Sequence, residues 1–237
     1  MPDYRSIVIL TGAGISAESG LATFRGPDGL WEGYRVEDVC TPEALAHDPE
    51  LVHRFYDERR AKLGEVLPNA AHRALARLEK DWPGELLLVT QNVDDLHERG
   101  GCDQVLHMHG ELLSALCASC CAARRWTGPM PPGSICPVCD RRALRPDIVF
   151  FGEMPYEMDR IDAALRRCDL FVSIGTSGAV YPAAGFVQTA RFAGADTLEL
   201  NLDPSAGSIY FQETRLGRAA TLVPQWVEEV LSSSPDR

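Results

Sequence analysis

No run of about 18 consecutive apolar residues occurs in this 237-residue chain, so no segment reads as a membrane-spanning helix. The opening MPDYRSIVIL has no basic stretch, and its short apolar run leads straight into a glycine turn where a secretory signal needs a longer apolar core. The expected location is a reducing, cytoplasmic compartment with the chain used from near Met1. Lysine is scarce, Lys62 and Lys80 alone among 23 basic residues, and nothing functional follows from it. Positive charge as a whole is in deficit at a net −11, which argues against neutralising nucleic-acid phosphates. Internal repeats and linkers are absent too. With 45% hydrophobic and 24% charged residues, disorder and fibrous structure are excluded, and the length suits one or two compact domains.

What is present is an alternation. Ser6 to Leu10 is a β-branched apolar run ending in a glycine turn, and the pattern recurs at Glu85–Val89, Asp169–Ile174, Asp196–Leu202 and Ala219–Val223. Helical patterns lie between: Asn69 to Lys80 capped by Asn69, Pro155 to Arg167, Pro182 to Phe192 and Pro224 to Leu231. Strands alternating with helices predict an α/β fold, a doubly wound parallel sheet of Rossmann-like type with helices on both faces. Two stretches break the rhythm and read as insertions building a smaller lobe. The first, 36–67, holds helical patterns interrupted at His47-Asp48-Pro49, and the second, 114–142, holds paired cysteines. The main domain is then assigned to 1–35, 68–113 and 143–237. In such sheets ligands bind beyond the carboxyl ends of the strands, where GAGIS, QNVDD, GTS and NLD all fall.

Gly12-Ala13-Gly14 with Ala17 fits the relaxed dinucleotide fingerprint GxGxxA, between a strand and a predicted helix, although a plain tight turn reads the same way. The acidic residue usual about twenty positions on is missing, which argues against an ordinary nicotinamide dehydrogenase. Cys117-x-x-Cys120 and Cys136-x-x-Cys139, fifteen residues apart, have the spacing of a four-cysteine zinc ribbon. Four thiolates close a tetrahedral site and leave no place for water, so the zinc expected here is structural. Cys121 is an adjacent alternative to Cys120, Cys40, Cys102 and Cys168 read as buried thiols, and disulfides are the other reading of the pairs. Gln91-Asn92-Val93-Asp94-Asp95 offers amides and carboxylates at a strand end, and Leu106-His107-Met108-His109-Gly110 offers a base titrating near neutrality.

In order, GAGISAESGLATFRGPDGLWEG, TQNVDDLHERGG, LHMHGEL, the cysteine pairs, RPDIVFFGE, GTSGAVYPAAGF and NLDP span about 220 residues. Together they resemble the sirtuin family of NAD-dependent protein deacylases, most closely its bacterial CobB-type, class III, desuccinylase-like branch. The resemblance implies NAD binding by Gly12, Ala13, Gly14, Ile15 and Ala17, by Thr23, Phe24, Arg25 and Trp31 of a flexible loop, and by Gln91, Asn92, Val93 and Asp94. Gly175, Thr176, Ser177, Asn201, Leu202, Asp203 and Ala219 are implied on the adenosine side. His109 is implied as the catalytic base, with His107 pointing elsewhere. Val149, Phe150, Gly178, Val180 and Tyr181 are implied to line a groove in which a substrate peptide adds as a strand. The implied reaction exchanges the nicotinamide of NAD for the acyl oxygen of a modified lysine, after which the base deprotonates a ribose hydroxyl. Free lysine, nicotinamide and acyl-ADP-ribose result. The stretch Gly26-Pro27 departs into a variable part of the family's loop.

The acyl group is addressed by Leu51 to Arg60, where Tyr56 and Arg59 share a helix face at i and i+3. From spacing alone this is an ordinary solvated arginine on a surface helix. The resemblance instead makes FYxxRR the pair that receives the acid end of succinyl or malonyl groups, with acetyl also removed. Acylated proteins are the expected partners, without membrane or nucleic acid, and the expected state is a monomer. Protein mono-ADP-ribosyl transfer is the competing enzymatic reading, disfavoured because Tyr56 and Arg59 then have no purpose. A zinc-ribbon binding module is the non-enzymatic one, disfavoured by the charge and by His109 beside the QNVDD loop.

Overall fold

The computed structural model describes residues 4–23, 30–31 and 33–232. The strands are β1 (Ser6–Thr11), β2 (Leu30–Trp31), β3 (Tyr34–Arg35), β4 (Glu85–Thr90), β5 (Val105–His107), β6 (Gly110–Cys117), β7 (Ala123–Arg125), β8 (Leu144–Ile148), β9 (Leu170–Ile174), β10 (Asp196–Asn201) and β11 (Glu213–Leu216). The α-helices are α1 (Val36–Val39), α2 (Pro42–His47), α3 (Pro49–Lys62), α4 (Ala70–Asp81), α5 (Leu96–Arg99), α6 (Met158–Leu165), α7 (Phe186–Phe192) and α8 (Ala219–Ser232). Among the described residues no helix is long and apolar enough to cross a membrane.

Six strands form a parallel sheet in the order β11-β10-β9-β1-β4-β5. The chain runs outward from β1 to β4 and β5, then returns to β9 on the other flank of β1. The strand order therefore reverses at β1, which is where such a sheet opens a crevice. Alternation along β1 feeds two cores. Ile7 and Ile9 pack with Leu75 and Leu78 of α4 and Trp226 and Val227 of α8, while Val8 and Leu10 face Ile161 and Leu165 of α6 and Phe186 of α7. Asn69 caps α4 by accepting from the Ala71 amide, while the Asn69 amide donates to Nδ1 of His72.

A second lobe has two parts. α1, α2 and α3 pack Val39, Val52, Phe55 and Tyr56 against Leu112, Ile148 and Phe150. Beyond them the antiparallel sheet β7-β6-β8 carries the four cysteines, with Met130 and Leu144 as its own small core. α2 starts on the Thr41 cap and α3 on the Asp48 cap, each with proline in the first turn, so the break at His47-Asp48-Pro49 is a helix boundary.

The structure corrects three sequence expectations. Ala219–Val223 is the first turn and a half of α8, not a strand, and Pro224 sits inside that helix. Both edge strands of the sheet lay outside the expected alternation: Val105–His107, and Glu213–Leu216, an exposed edge whose Glu213 and Arg215 give no apolar signal. The expected helix after GAG is two short 3₁₀ turns, Ala13–Ile15 and Ala17–Ser19, ended by Gly20 at φ +98°.

The close pairing of the turns after β1 and β9 requires glycine. The Gly14 amide donates to the Gly175 carbonyl at 2.9 Å, and a Cβ on Gly14 would lie 2.7 Å from both Cα and O of Gly175, backbone that has nowhere to move. Gly14→Ala is expected to lower stability by about 2–4 kcal/mol, in the range of a forced core overlap. Guanidinium unfolding checks this; a change below roughly 0.5 kcal/mol contradicts the packing argument.

Candidate functional site

A cavity of about 560 Å³ opens beyond the carboxyl ends of β1, β4, β9 and β10 and extends under the second lobe. β1 delivers Gly12, Ala13, Gly14, Ser16 and Ala17 to its wall, β9 delivers Gly175, Thr176 and Ser177, and β10 delivers Asn201 and Leu202. The amides of Gly12, Gly14, Ile15 and Ser16 are spent on the carbonyls of Ile174, Gly175, Gly12 and Ala13. The amide of Ala13 is consumed by none of these bonds, and Ala13 lines the cavity. Across the crevice Asn201 Nδ2 donates to the Thr176 carbonyl at 2.8 Å, tying the β9 and β10 turns together. Thr23 and Ala219 complete this end.

β4 ends in Gln91, Asn92, Val93 and Asp94, all on the cavity wall. Ser16 joins them: its hydroxyl donates to Asp94 Oδ2 at 3.1 Å and accepts from Asn92 Nδ2 at 3.2 Å. His72 Nδ1 accepts from the Asn69 amide, so Nε2 carries the proton and faces Ser16 Oγ at 3.4 Å. Burial pushes the Asp94 carboxyl up to about 6, against the opposing bonds from the Leu96 amide and Ser16, and lowers His72 to about 4. A parallel pair stands behind, with His97 Nε2 on Thr11 Oγ1 at 2.9 Å and Thr11 donating to Thr90 at 2.8 Å.

The two histidines of LHMHG are shifted in opposite directions. His107 has Nε2 on Glu98 Oε1 at 2.7 Å and Nδ1 on the Asn92 carbonyl at 3.1 Å. Burial works against its charge, but the Glu98 carboxylate outweighs it and the pKa rises. His109 lines the cavity, and burial lowers its pKa with only the Gln91 backbone opposing. His109 is thus the neutral imidazole, able to accept a proton in the cavity.

At the cavity's other end, Arg59 is 6% exposed and lines the wall, its NH1 donating to the Phe55 carbonyl at 2.6 Å and its guanidinium 3.1 Å over the Phe55 ring. The solvated surface arginine read from spacing is therefore overturned. Tyr56 is fully buried rather than on the cavity wall, packed with Phe55, Phe150 and Cys40. Cys40 does line the wall, where the sequence reading had only a buried thiol. Phe150 stacks on Tyr56 at 6.0 Å, and Arg145 lies 4.1 Å over Phe150 while gripping Glu153 in a fork at 2.6 and 2.8 Å. Burial raises the Glu153 carboxyl, and Arg145 with the Phe150 amide more than reverses it.

The sulfurs of Cys117, Cys120, Cys136 and Cys139 all lie within 4.8 Å of one another, with 3.7 Å from Cys117 to Cys139 and 3.8 Å from Cys120 to Cys136. A Zn–S bond of about 2.3 Å sets tetrahedral edges of about 3.8 Å, so the group fits one zinc ion. Cys121 is exposed at φ +58° and outside the group, and Cys40, Cys102 and Cys168 are buried free thiols.

Other expected positions fall elsewhere. Ile15 is in the core at 0% exposure, its side chain turned to the α4 and α8 layer. Asp203 is exposed and off the cavity wall. Gly178, at φ +65°, lines a small neighbouring pocket with Ser205 and Gly207. Val149, Phe150, Val180 and Tyr181 do line the main cavity. Phe24, Arg25 and the Gly26-Pro27 stretch lie outside the described residues, as does the side chain of Trp31. Ser16, Cys40, Lys62 and Glu153 also line the cavity and were not among the expected site residues; Ser16 stands inside GAGIS and Glu153 ends RPDIVFFGE.

The family model described as "Sir2 family" matches residues 12–182. A relative named NAD-dependent protein deacylase, from Vibrio parahaemolyticus serotype O3:K6, is 55% identical over 232 residues, covering 97% of this chain and 96% of its own. A solved Sir2 homolog–NAD complex superposes with a TM-score of 0.88 at 39% identity, covering 98% of this chain and 91% of that one. A Sir2–p53 peptide–NAD⁺ structure does so with a TM-score of 0.81 at 29% identity, covering 98% and 95%. With a doubly wound sheet, a four-cysteine cluster and one cavity joining glycine turns to a neutral histidine, the chain belongs to the Sir2 family.

Proposed function

We propose that the protein removes acyl groups from lysine side chains of other proteins at the expense of NAD, and that acid-ended groups, succinyl and malonyl, are accepted along with acetyl. One observation carries this reading: buried Arg59 and neutral His109 line the same cavity as the glycine turns. A guanidinium at the wall of an apolar pocket favours a carboxylate over a methyl, and a neutral imidazole favours proton removal.

The donor set suits NAD. Ala13, Thr176 and Ser177 offer groups to phosphates and the adenosine side, with Asn201 and Ala219 beside them. Gln91, Asn92 and Asp94 offer amides and a carboxylate to the nicotinamide end, Ser16 fixing the orientation of the last two. When bound, NAD supplies a glycosidic bond whose cleavage frees nicotinamide and leaves ribose as the acyl acceptor. His109 then takes a proton from a ribose hydroxyl through the ring nitrogen that Gln91 does not hold. Val149, Phe150, Val180 and Tyr181 guide the lysine-bearing peptide, an extended segment lying between the lobes. Zinc has no part in the chemistry; four thiolates saturate it, and it serves the small lobe, which has little core of its own. Acylated proteins are the partners, met by a monomer in a reducing compartment.

Mass spectrometry of one peptide bearing acetyl-, succinyl- or malonyl-lysine tests the reading. Wild type is expected to lose each acyl group only with NAD. His109→Ala is expected to slow all three by about 10²–10⁴, and Arg59→Met to cut desuccinylation by about 10² while leaving deacetylation within about threefold. A mass gain of ADP-ribose on protein without acyl loss would overturn the deacylase in favour of ADP-ribosyl transfer.

The pH profile follows from His109. Its pKa lies below the ordinary 6.5, and the base works unprotonated. Deacetylation kcat/KM is therefore expected to hold from pH 8 to about 6.5 and to fall only below it. A half-maximum above pH 7 contradicts the assignment. Chelation should release one zinc per chain and unfold β6, β7 and the cysteine turns before the parallel sheet; hydrogen exchange read by peptide distinguishes this from uniform unfolding.

A further inference from the structure

α3 presents two stripes, and only one faces the cavity. Arg59 belongs to the cavity side. His53, Asp57 and Arg60 recur at i, i+4 and i+7 on a different side and reach the backbone of the cysteine-bearing lobe. Asp57 accepts the Met130 amide on both oxygens, at 3.0 and 2.9 Å, and Nδ1 of His53 donates to the Met130 carbonyl at 2.6 Å. Two side chains of one helix thus satisfy both backbone groups of a residue that is itself fully buried. Arg60, 4% exposed, pairs with Asp57 and donates through NH1 to the Gly128 carbonyl at 3.2 Å and through Nε to the Leu112 carbonyl at 2.7 Å. The second of these carbonyls belongs to β6, whose first residue, Gly110, follows His109.

We infer that His53, Asp57 and Arg60 are positioning residues for acyl recognition, a latch that fixes the roll of α3 against the 128–130 loop and β6 and so fixes Arg59 relative to His109. The inference rests on the reading of Arg59 as the receptor of an acid-ended acyl chain. The physical case is leverage. A helix with side chains is about 5–6 Å in radius, so a roll of about 10° moves a group at its rim by roughly 1 Å. A fork of hydrogen bonds to a carboxylate does not tolerate that displacement, whereas a methyl group in the same pocket has no such geometry to lose. None of these three side chains lines the cavity; the one link to its wall is the Arg60 bond to the Leu112 main chain. The bonds of His53 and Asp57 go to main-chain atoms of one residue rather than to side chains that could follow a moving helix.

The test measures kcat/KM for acetyl- and succinyl-lysine peptides, and KM for NAD, in zinc-loaded wild type, Asp57→Ala, Asp57→Asn, His53→Gln and Arg59→Met, with hydrogen exchange over 126–132. Asp57→Ala is expected to lower succinyl kcat/KM about tenfold, mostly through KM, with acetyl kcat/KM and the NAD KM within about twofold and faster exchange at Met130. Asp57→Asn keeps an acceptor for the Met130 amide and is expected to recover most of the loss. His53→Gln, which keeps a donor, should behave likewise. Equal loss on both peptides in Asp57→Ala, or in Asp57→Asn should Asp57→Ala not fold, would assign these residues to stability alone and overturn the latch. So would an unchanged succinyl-to-acetyl ratio in Asp57→Ala while Arg59→Met loses succinyl activity. Succinyl turnover unaffected by Arg59→Met overturns the acid-pocket reading and the latch with it.

Discussion

The contact between the Gly14 and Gly175 backbones governs the architecture of this molecule. It closes the gap between the ends of β1 and β9 at the point where strand order reverses, and it consumes the Gly14 amide. What remains is spaced by that contact. Ala13 stands on one side, Thr176 and Ser177 on the other, and Asn201 reaches across from β10. A side chain at either glycine would separate the two turns, and every donor beyond them would shift together. The crevice is therefore a property of backbone packing first and of functional side chains second.

The second lobe is tied to this crevice through one strand. β6 begins beside His109 and ends at Cys117, so His109 and the cysteine cluster lie at the two ends of an eight-residue element, on the order of 20 Å apart. Gly110, at φ +82° with the Asp147 carbonyl 2.1 Å from any Cβ, lets β8 lie close against the start of that strand. The Val149 amide then bonds the His109 carbonyl at 2.9 Å. Fixing the lobe thus fixes the main chain of the base. A saturated zinc can matter to an active site it never touches.

The main sheet was readable because its central strands are buried on both faces and carry unbroken apolar runs. β11 was not, since an edge strand with one face in water has no reason to be apolar. Ala219–Val223 misled because a buried first turn of helix and a buried strand have the same short composition, and Pro224, expected at a helix start, is accommodated inside α8. The site shows the same division. Main-chain cradles and the paired cysteines leave a signature in spacing, so GAG, GTS and the two CxxC pairs stood out. Burial leaves none: the i, i+3 relation of Tyr56 and Arg59 is equally that of a solvated helix face, and only the packing of Tyr56 on Phe150 and of Arg59 over Phe55 distinguishes them. Likewise nothing in LHMHG says which histidine has its pKa raised; that depends on Glu98, nine residues away in sequence.

Arg59 and His109 both depend on desolvation in one cavity. The guanidinium needs partial desolvation for a carboxylate to prefer it over water, and the imidazole needs desolvation to stay neutral. A buried cation nearby would ordinarily lower the imidazole further and could draw an anion to the wrong end. A run of aromatic rings extends from Arg59. Arg59 lies on Phe55, Phe55 meets Tyr56 edge-on at 5.0 Å, Tyr56 stacks on Phe150, and Arg145 lies on Phe150 with its charge matched by Glu153. The charge of Arg59 is partly met by the Phe55 ring and carbonyl, so the guanidinium is held in place before any acyl chain arrives. An acid-ended chain need only replace part of that solvation, while an acetyl group leaves it undisturbed. On the proposed reading, acceptance of both would follow from an arginine that is satisfied by its own helix.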